Sequence, residues 1–309
     1  MPIPPSLADR ARGVIVGLAC GDALGAPVEF QSRAAIKERY PDGLRDFASG
    51  GWMHVTPGEL TDDSRMMIDL AETLIRPGSV DLDELARRFI AWADEQPKDI
   101  GNTTSLAIDL LRRGTPWTDA GEQALRQRGA SGAASNGSVM RCAPVAVRFH
   151  NQPDSLRDVS IDTSRITHAE PRCTWSCVAL NQAIAQALTG GSVAAMREAA
   201  LVGVEQTEVV AAISAAADLR ADDLKGSGYV LNAIQIAFWA IGTQQSFEDA
   251  VVSAVMIGDD TDTNAAVTGA LAGAFYGYDQ IPERWRRGIQ QHDRLVALAD
   301  QLLALASVD

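Results

Sequence analysis

Apolar residues recur with helical spacing along most of the chain, as at Met66, Leu70 and Leu74. This period predicts amphipathic helices, whereas alternating β patterns are scarce and short. The predicted helices run from Ser6 to about Cys20, Asp81 or Asp83 to Trp92, Thr103 to Leu111, Pro171 to Leu188, Ser192 to Leu201, Glu208 to Ala217, Tyr229 to Ile241, Phe247 to Met256 and Trp285 to Leu303. No linker or repeat divides the sequence. We therefore predict a single all-α domain over residues 1–309.

Two clusters of acidic and hydroxyl residues each precede an apolar run of helical spacing: Thr61-Asp62-Asp63 and Asp259-Asp260-Thr261-Asp262-Thr263. Thr and Asp are favoured helix N-caps, so capping explains one such cluster. Capping uses one or two side-chain oxygens, however, and crowded carboxylates repel one another unless a cation, a proton or a basic partner compensates. The next basic residue after the second cluster is Arg284. We therefore predict that both helix starts meet at an oxygen-only site for Mg²⁺ or Mn²⁺ rather than zinc.

Charge and composition limit the partners and the compartment. The formal net charge of -13 argues against a nucleic-acid backbone or an anionic membrane as the resting partner, and leaves a basic peptide or a protein arginine open. No signal-peptide pattern opens the chain, and no apolar stretch approaches the roughly 18 residues of a membrane span. The cysteines Cys20, Cys142, Cys173 and Cys177 fit buried thiols in a reducing compartment. We expect a cytoplasmic protein that does not engage a membrane.

Glycine and polar residues concentrate in junctions between the predicted helices, at residues 21–29, 99–104, 135–141 and 167–171. A helical scaffold that gathers such loops at one end builds a pocket. Residues 135–141 read Ser-Asn-Gly-Ser-Val-Met-Arg, a glycine-containing loop before a helix. These four segments are therefore the candidate lining of such a pocket.

These segments, in their order from Ala19 to Tyr276, resemble the ADP-ribosylglycohydrolase family. The resemblance implies an all-α orthogonal bundle with a dinuclear metal site at the mouth of a cleft. It implies that two divalent cations, Mg²⁺ or Mn²⁺, are held by carboxylate and hydroxyl oxygens of Thr61, Asp62, Asp63, Asp260, Asp262 and Thr263. The implied reaction is hydrolysis of the bond between ADP-ribose and a protein side chain. An ADP-ribosylated protein is then the expected partner, and ADP-ribose the product.

The resemblance also implies roles for residues whose chemistry alone leaves them open. Glu29 and Asp99 match acidic residues near the metals and the scissile sugar, and with Asp260 they are the expected catalytic groups. Without the resemblance, Glu29 fits a surface position and Asp99 a helix cap. Contacts to ADP-ribose are expected from Asn102, Thr103, Ser135, Gly137, Ser138, Met140, His168 and Tyr229. For the last two, a structural histidine and a core tyrosine are the alternatives.

The segment Asp-Ile-Gly-Asn-Thr at Asp99 resembles the arginine-directed bacterial members of the family more than the serine-directed ones. We therefore expect the modified side chain to be arginine. Two positions depart from the family pattern. Asp259 stands where glycine is usual, and Ser64-Arg65 stands where Thr and an uncharged polar residue are common. Neither change falls on an expected metal ligand.

Two other functions are compatible with acidic clusters on helices. All-α enzymes of isoprenoid metabolism bind Mg²⁺ in this way, but they need an aromatic-lined cavity, and aromatic residues make up only 6% of this chain. The second alternative is a relative that binds ADP-ribose without turning it over. Because all six expected metal ligands are present, an enzyme is favoured.

Overall fold

The computed structural model describes residues 4–76, 78 and 80–306. Within these residues the chain forms α-helices and short 3₁₀ helices, with isolated β-bridges and no strand. The α-helices are α1 (Leu7–Gly25), α2 (Arg33–Arg39), α3 (Asp62–Leu74), α4 (Leu82–Asp94), α5 (Asn102–Arg112), α6 (Trp117–Ala133), α7 (Pro144–Phe149), α8 (Pro153–Arg165), α9 (Pro171–Leu188), α10 (Val193–Ala200), α11 (Thr207–Ala215), α12 (Val230–Thr243), α13 (Phe247–Val255), α14 (Thr261–Tyr276), α15 (Glu283–Gly288) and α16 (His292–Ala306). The 3₁₀ helices are Ala26–Val28, Val139–Arg141, Ala216–Asp218, Ala221–Asp223 and Tyr278–Gln280.

Helices α1 and α14 run antiparallel with their backbones in contact. Gly13, Gly17 and Gly21 recur every fourth residue on α1, so they share one face. A Cβ atom on Gly17 would lie 2.4 Å from the carbonyl oxygen of Gly269, and a Cβ atom on Gly13 would lie 2.2 Å from that of Gly273. No side chain fits at these positions. This glycine face therefore determines where α14 lies along the axis of α1. The resulting register places the start of α14 beside the end of α1.

The two helices are also the centre of the hydrophobic core. Helix α1 is buried along most of its length, and α14 is buried almost throughout, with α12 and α13 packed against it. By length and composition, the stretch Leu7–Val28 could cross a membrane, but 94% of its most apolar window is buried inside the protein. Packing in the core accounts for the apolarity of this stretch. The core continues without a break to α16.

The predicted helix starts agree closely with the structure where a capping residue marks them. The side chains of Ser6, Asp81 and Ser192 each accept a hydrogen bond from a backbone N–H in the first turn of the following helix. Helix α1 continues to Gly25, so the first residues of the segment 21–29, expected in a junction, are helical. Gly21 and Gly25 do not end the helix, because their backbones pack directly on α14.

The prediction of one helix from Trp285 to Leu303 is wrong. The chain leaves the helical conformation between α15 and α16, where Gln291 has a φ of 58°. At this break the backbone N–H of Gln290 donates to the carbonyl oxygen of Gly58 (3.0 Å), a contact that a continuous helix would not make. Helices α2, α6, α7 and α8 were not predicted, although α7 and α8 begin with a proline, a recognised N-terminal signal.

Candidate active site

Five carboxylates from three parts of the chain converge where α1 ends and where α3 and α14 begin. Asp62 and Asp63 lie in the first turn of α3, and Asp260 and Asp262 lie at the N-cap and in the first turn of α14. Glu29 follows α1 after the 3₁₀ helix Ala26–Val28. Carboxylate oxygens of Glu29, Asp260 and Asp262 lie within 4.8 Å of one another, and all five residues line one cavity. The fold thus brings the two acidic clusters of the sequence together.

Helix capping does not account for these side chains. Thr61 and Asp260 occupy the N-cap positions of α3 and α14, but neither makes a side-chain cap hydrogen bond. The Oδ1 atoms of Asp63 and Asp260 are buried and have no hydrogen-bond partner in the described part of the chain. Buried, unpartnered carboxylate oxygens are costly unless a cation meets them. An oxygen-only set with two such atoms fits a hard divalent cation.

Burial and mutual repulsion raise the proton affinity of the cluster. Burial is the largest cause of the raised pKa of Asp62, Asp63 and Asp262, and the negative charges of neighbouring carboxylates add to it. Burial also raises the pKa of Glu29 to about 8, although the Trp52 indole N–H donates to Glu29 Oε2 (2.7 Å) and favours the charged form. At neutral pH the cluster is therefore stabilised by protons or by a cation.

Asp22 is a buried carboxylate next to the cluster that the sequence analysis did not single out. It accepts hydrogen bonds from the backbone N–H (3.1 Å) and the hydroxyl (2.7 Å) of Thr61, and from the backbone N–H (3.2 Å) and the hydroxyl of Ser64. Burial raises its pKa to about 6 despite these bonds. Asp22 therefore orients the Thr61 hydroxyl and the start of α3. An acidic residue inside an apolar helix was the sequence signal that could have identified it.

A cavity of about 320 Å³ opens beside the acidic cluster. Its lining includes most of the residues expected to contact ADP-ribose, namely Asn102, Thr103, Ser135, Gly137, Met140 and His168, together with the expected metal ligand Thr263. The lining also includes Arg128, and Asn136 from the predicted junction 135–141, whose Nδ2 donates to Asp260 Oδ2 (3.0 Å). Hydroxyl, amide and basic groups thus share one cavity with the carboxylates, as a polar, anionic sugar ligand requires.

Hydrogen bonds behind the cavity wall fix the position of the proton on His168. The Arg141 guanidinium, which can only donate, donates from Nη2 to Thr167 Oγ1 (2.7 Å). Thr167 Oγ1 lies 2.7 Å from His168 Nδ1, which is its remaining partner, so the hydroxyl proton points at that nitrogen. Burial, with the charge of Arg141 adding to it, holds the pKa of His168 well below its usual range. The neutral ring then carries its proton on Nε2 and donates to Ser135 Oγ (2.9 Å).

Three predicted residues do not line the 320 Å³ cavity. Thr61 instead lines a neighbouring cavity of about 220 Å³. The Ser138 hydroxyl accepts a hydrogen bond from Ser164 Oγ (2.8 Å) behind the wall. The Arg172 guanidinium lies 5.6 Å from the centre of the Tyr229 ring, and its Nη1 donates to the Tyr229 hydroxyl (3.1 Å). Tyr229, expected to contact ADP-ribose, is therefore paired with an arginine that does not line this cavity.

Asp99 lies where the two cavities meet, because it lines both the 320 Å³ and the 220 Å³ cavity, as Asp62 also does. Gly101, not Asp99, is the N-cap of α5, so capping does not account for this carboxylate. Burial raises the pKa of Asp99, and the backbone N–H of Ile100 partly offsets the effect. Asp99 is thus a carboxylate at the edge of the acidic cluster, on the side where a second cavity begins.

The two departures from the family pattern have structural explanations. Asp259 has a φ of 69°, in the left-handed region that suits glycine and that Asp tolerates better than most residues. Its backbone pairs with Gln31 in an isolated bridge, while its side chain is exposed. The Ser64 hydroxyl donates a hydrogen bond to Asp22, and the Arg65 guanidinium forms a surface salt bridge with Glu95 (2.6 Å). Neither departure removes an oxygen from the cluster.

The helical bundle and its acidic cleft together define a protein of the ADP-ribosylglycohydrolase class. The family model for ADP-ribosylglycohydrolase matches residues 3–309, and the chain therefore belongs to this family. Membership supports a hydrolase and favours that prediction over an isoprenoid enzyme.

Named relatives are similar over nearly the whole chain. The chain is 33% identical over 311 residues to the ADP-ribosyl-[dinitrogen reductase] glycohydrolase of Rhodospirillum rubrum, with 99% of each chain covered. It is 30% identical over 306 residues to the ADP-ribosylarginine hydrolase Tri1 of Serratia proteamaculans, with 96% of this chain and 80% of that protein covered. A solved structure described as an ADP-ribosylglycohydrolase-related protein complex has a TM-score of 0.84 at 30% identity, with 97% and 99% covered.

Proposed function

We propose that this protein is a metal-dependent hydrolase that releases ADP-ribose from modified arginine side chains of proteins. The observation that carries the proposal is the meeting of five carboxylates in one cavity, two of them with a buried oxygen that has no hydrogen-bond partner among the described residues. The names of two relatives, a dinitrogen reductase glycohydrolase and an ADP-ribosylarginine hydrolase, support both the reaction and the leaving group. The acidic surroundings suit a cationic guanidine better than a neutral serine oxygen.

Two divalent cations, Mg²⁺ or Mn²⁺, fit the oxygen ligands of the two helix starts. Thr61, Asp62 and Asp63 on one side and Asp260, Asp262 and Thr263 on the other would hold them. Bound cations supply positive charge that can polarise a water and fix ribose hydroxyls. Within the chain, Asp22 holds the Thr61 hydroxyl, and Asn136 holds one oxygen of Asp260, so both ligand groups are oriented by neighbours.

The remaining chemistry concerns charge and protons at the scissile bond. The bond that breaks joins C1 of the ribose to a guanidine nitrogen, and water supplies the hydroxyl that C1 gains. Positive charge that develops on the sugar is stabilised by the surrounding carboxylates. The leaving guanidine must depart protonated, and Asp99 and Glu29, both with raised pKa, are the carboxyl groups placed to donate or relay that proton. Ser135 and His168 line the same cavity, where they can orient the rest of ADP-ribose.

The leaving-group assignment is tested with matched peptides ADP-ribosylated on arginine or on serine, offered to wild type and to Asp99→Asn. We expect faster release from arginine, and a loss of about a hundredfold or more in kcat for the variant, as for removal of a general acid or base. Faster release from serine would overturn the arginine assignment. Unchanged arginine turnover by Asp99→Asn would remove Asp99 from the mechanism. Binding of ADP-ribose with release from neither peptide would identify a non-catalytic relative.

The metal assignment is tested by calorimetric titration of metal-free protein with Mg²⁺ and Mn²⁺. We expect binding to wild type and none to the double variant Asp260→Ala and Asp262→Ala, because the remaining oxygens cannot replace the hydration shell of the ion. A control variant at an exposed carboxylate away from the cleft, Asp154→Ala, should bind as wild type does. Undiminished binding by the double variant would contradict the site.

A further inference from the structure

Two exposed aromatic side chains form a pair at the mouth of the cleft. Phe30 is 62% exposed and Trp52 is 45% exposed, and they account for two of the four exposed large hydrophobic side chains in the described part of the chain. Their ring centres lie 5.6 Å apart with an angle of 32° between the ring planes. Phe30 also lines the 320 Å³ cavity. Exposed apolar surface beside a polar cleft marks a contact site for a ligand or a partner.

The backbone holds Phe30 in this position against its own preference. Its φ of 61° is in the left-handed region, which a bulky side chain rarely adopts. The Phe30 N–H donates to the carbonyl oxygen of Asp259 (2.6 Å), and Asp259 and Gln31 pair in an isolated bridge, so the conformation is fixed by neighbouring chain. Backbone strain of this kind persists only where contacts with the surrounding structure enforce the conformation, and it concentrates at binding sites. Here it directs an aromatic ring outward at the cleft.

The surroundings of the pair are acidic. Trp52 donates its indole N–H to Glu29 Oε2 (2.7 Å), and the exposed Asp259 lies against the Phe30 backbone. On the other side, Met53 follows Trp52 in the chain and lines the 220 Å³ cavity, which shares Asp99 with the larger cavity. The aromatic pair therefore stands close to where the two cavities meet. Exposed aromatic faces at the edge of a cavity lined by several carboxylates attract a planar cation.

We propose that the Phe30–Trp52 pair seats the side chain of the ADP-ribosylated arginine, with the guanidinium against the ring faces and the methylene stem against their edges. The proposal rests on the arginine specificity proposed above, and it adds the surface that recognises the protein side of the substrate. ADP-ribose itself occupies the polar cavity and does not need the pair. The pair thus contributes to binding of the modified peptide, and Phe30 is a specificity residue rather than a catalytic one.

The test compares wild type with Phe30→Leu, which keeps apolar bulk but removes the π face, and with Phe30→Tyr, which retains it. Val202→Ala, an exposed apolar residue elsewhere in the chain, is the matched control. For arginine-modified peptide we expect Phe30→Leu to raise KM about five- to tenfold with kcat nearly unchanged, in line with loss of an exposed cation–π contact. Phe30→Tyr and Val202→Ala should behave as wild type, and the Kd for free ADP-ribose should change less than twofold in every variant.

An unchanged KM in Phe30→Leu would overturn the proposal, and so would a parallel loss of affinity for ADP-ribose, which would assign Phe30 to the nucleotide cavity. An arm without turnover separates this outcome from failure of the proposed function. The Kd of the arginine-modified peptide is measured in EDTA for wild type and Phe30→Leu. A weaker Kd in the variant supports the aromatic seat even where wild type releases no ADP-ribose, whereas equal Kd values refute it.

Discussion

Replacing Glu29 by Gln should change how the stability of the metal-free protein depends on pH. Burial raises the pKa of Glu29 from 4.5 to about 8. The folded protein therefore binds this proton over a range in which the unfolded chain has released it, and the free energy of unfolding must fall as pH rises. The stabilising contribution is complete below pH 4.5 and is lost as the pH passes through about 8. Gln keeps the shape and an oxygen for Trp52 but has no proton to lose.

The size of the effect follows from the two pKa values. A pKa unit corresponds to about 1.36 kcal/mol, so a group of pKa about 8 lowers the free energy of unfolding by about 1 kcal/mol between pH 7 and pH 8. For a chain of this size, that is a decrease of about 2 °C in Tm. His168, which is held neutral in the fold, adds stability only as the pH rises to its ordinary value near 6.5, so it does not obscure the window above pH 7.

The assay is thermal unfolding in EDTA at pH 7, 7.5 and 8 for wild type and Glu29→Gln. Asp69, whose pKa burial raises to about 7, titrates in both proteins, so its contribution cancels in the difference. Wild type should lose about 1 kcal/mol relative to the variant over this range. With Mg²⁺ or Mn²⁺ present, the increase in wild-type Tm on adding metal should be greater at pH 8 than at pH 7, because the cation competes with protons. A wild-type stability that rises with pH relative to Glu29→Gln would refute the reasoning.

Two other substitutions test residues that act through their neighbours. Asp22→Asn should weaken Mg²⁺ or Mn²⁺ binding about 10- to 100-fold in calorimetry, because it disturbs the carboxylate that orients the start of α3, and wild-type affinity in the variant would contradict that role. Thr167→Val removes the hydroxyl that donates to His168 Nδ1, so the ring should no longer be held in the Nε2-protonated tautomer and its ¹⁵N signals should change accordingly. Thr167→Ser keeps a hydroxyl at this position and should give the wild-type ¹⁵N pattern. Identical spectra for wild type and Thr167→Val would show that the hydroxyl does not set the tautomer.

Local signals in the sequence were enough to place most helix starts and both acidic clusters. Ser6, Asp81 and Ser192 cap helices by accepting hydrogen bonds from backbone N–H groups a few residues further along the chain. The neighbouring sequence is therefore sufficient to predict these helix starts. The break before α16 is different, because the backbone of Gln290 is held by Gly58 from a distant part of the chain. No periodicity in the local sequence reports a partner of that kind.

The same distinction applies within the site. The carboxylates of α3 and α14 could be predicted to converge because two unusual clusters, each too acidic for capping alone, imply a common cation. The roles of Asp22 and Trp52 could not be predicted, because each depends on a side-chain contact with a distant residue, Thr61 across 39 residues and Glu29 across 23 residues. Tyr229 was predicted correctly at a helix start, but its contact with Arg172, 57 residues away in the chain, has no local sequence signal.

The glycine face of α1 and the acidic cluster both depend on the packing of α14 against α1. Repulsion among the carboxylates would be relieved if α14 slid away from the end of α1, yet both helices are buried in the core and their backbones interlock. Gly25, at the end of α1, continues the glycine face to the cluster itself, because a Cβ atom on Gly25 would lie 2.5 Å from the Cα of Asp262. Core packing therefore holds these carboxylates together without a cation. The affinity for the proposed cation should then depend mainly on charge and dehydration, and little on reorganisation of the fold.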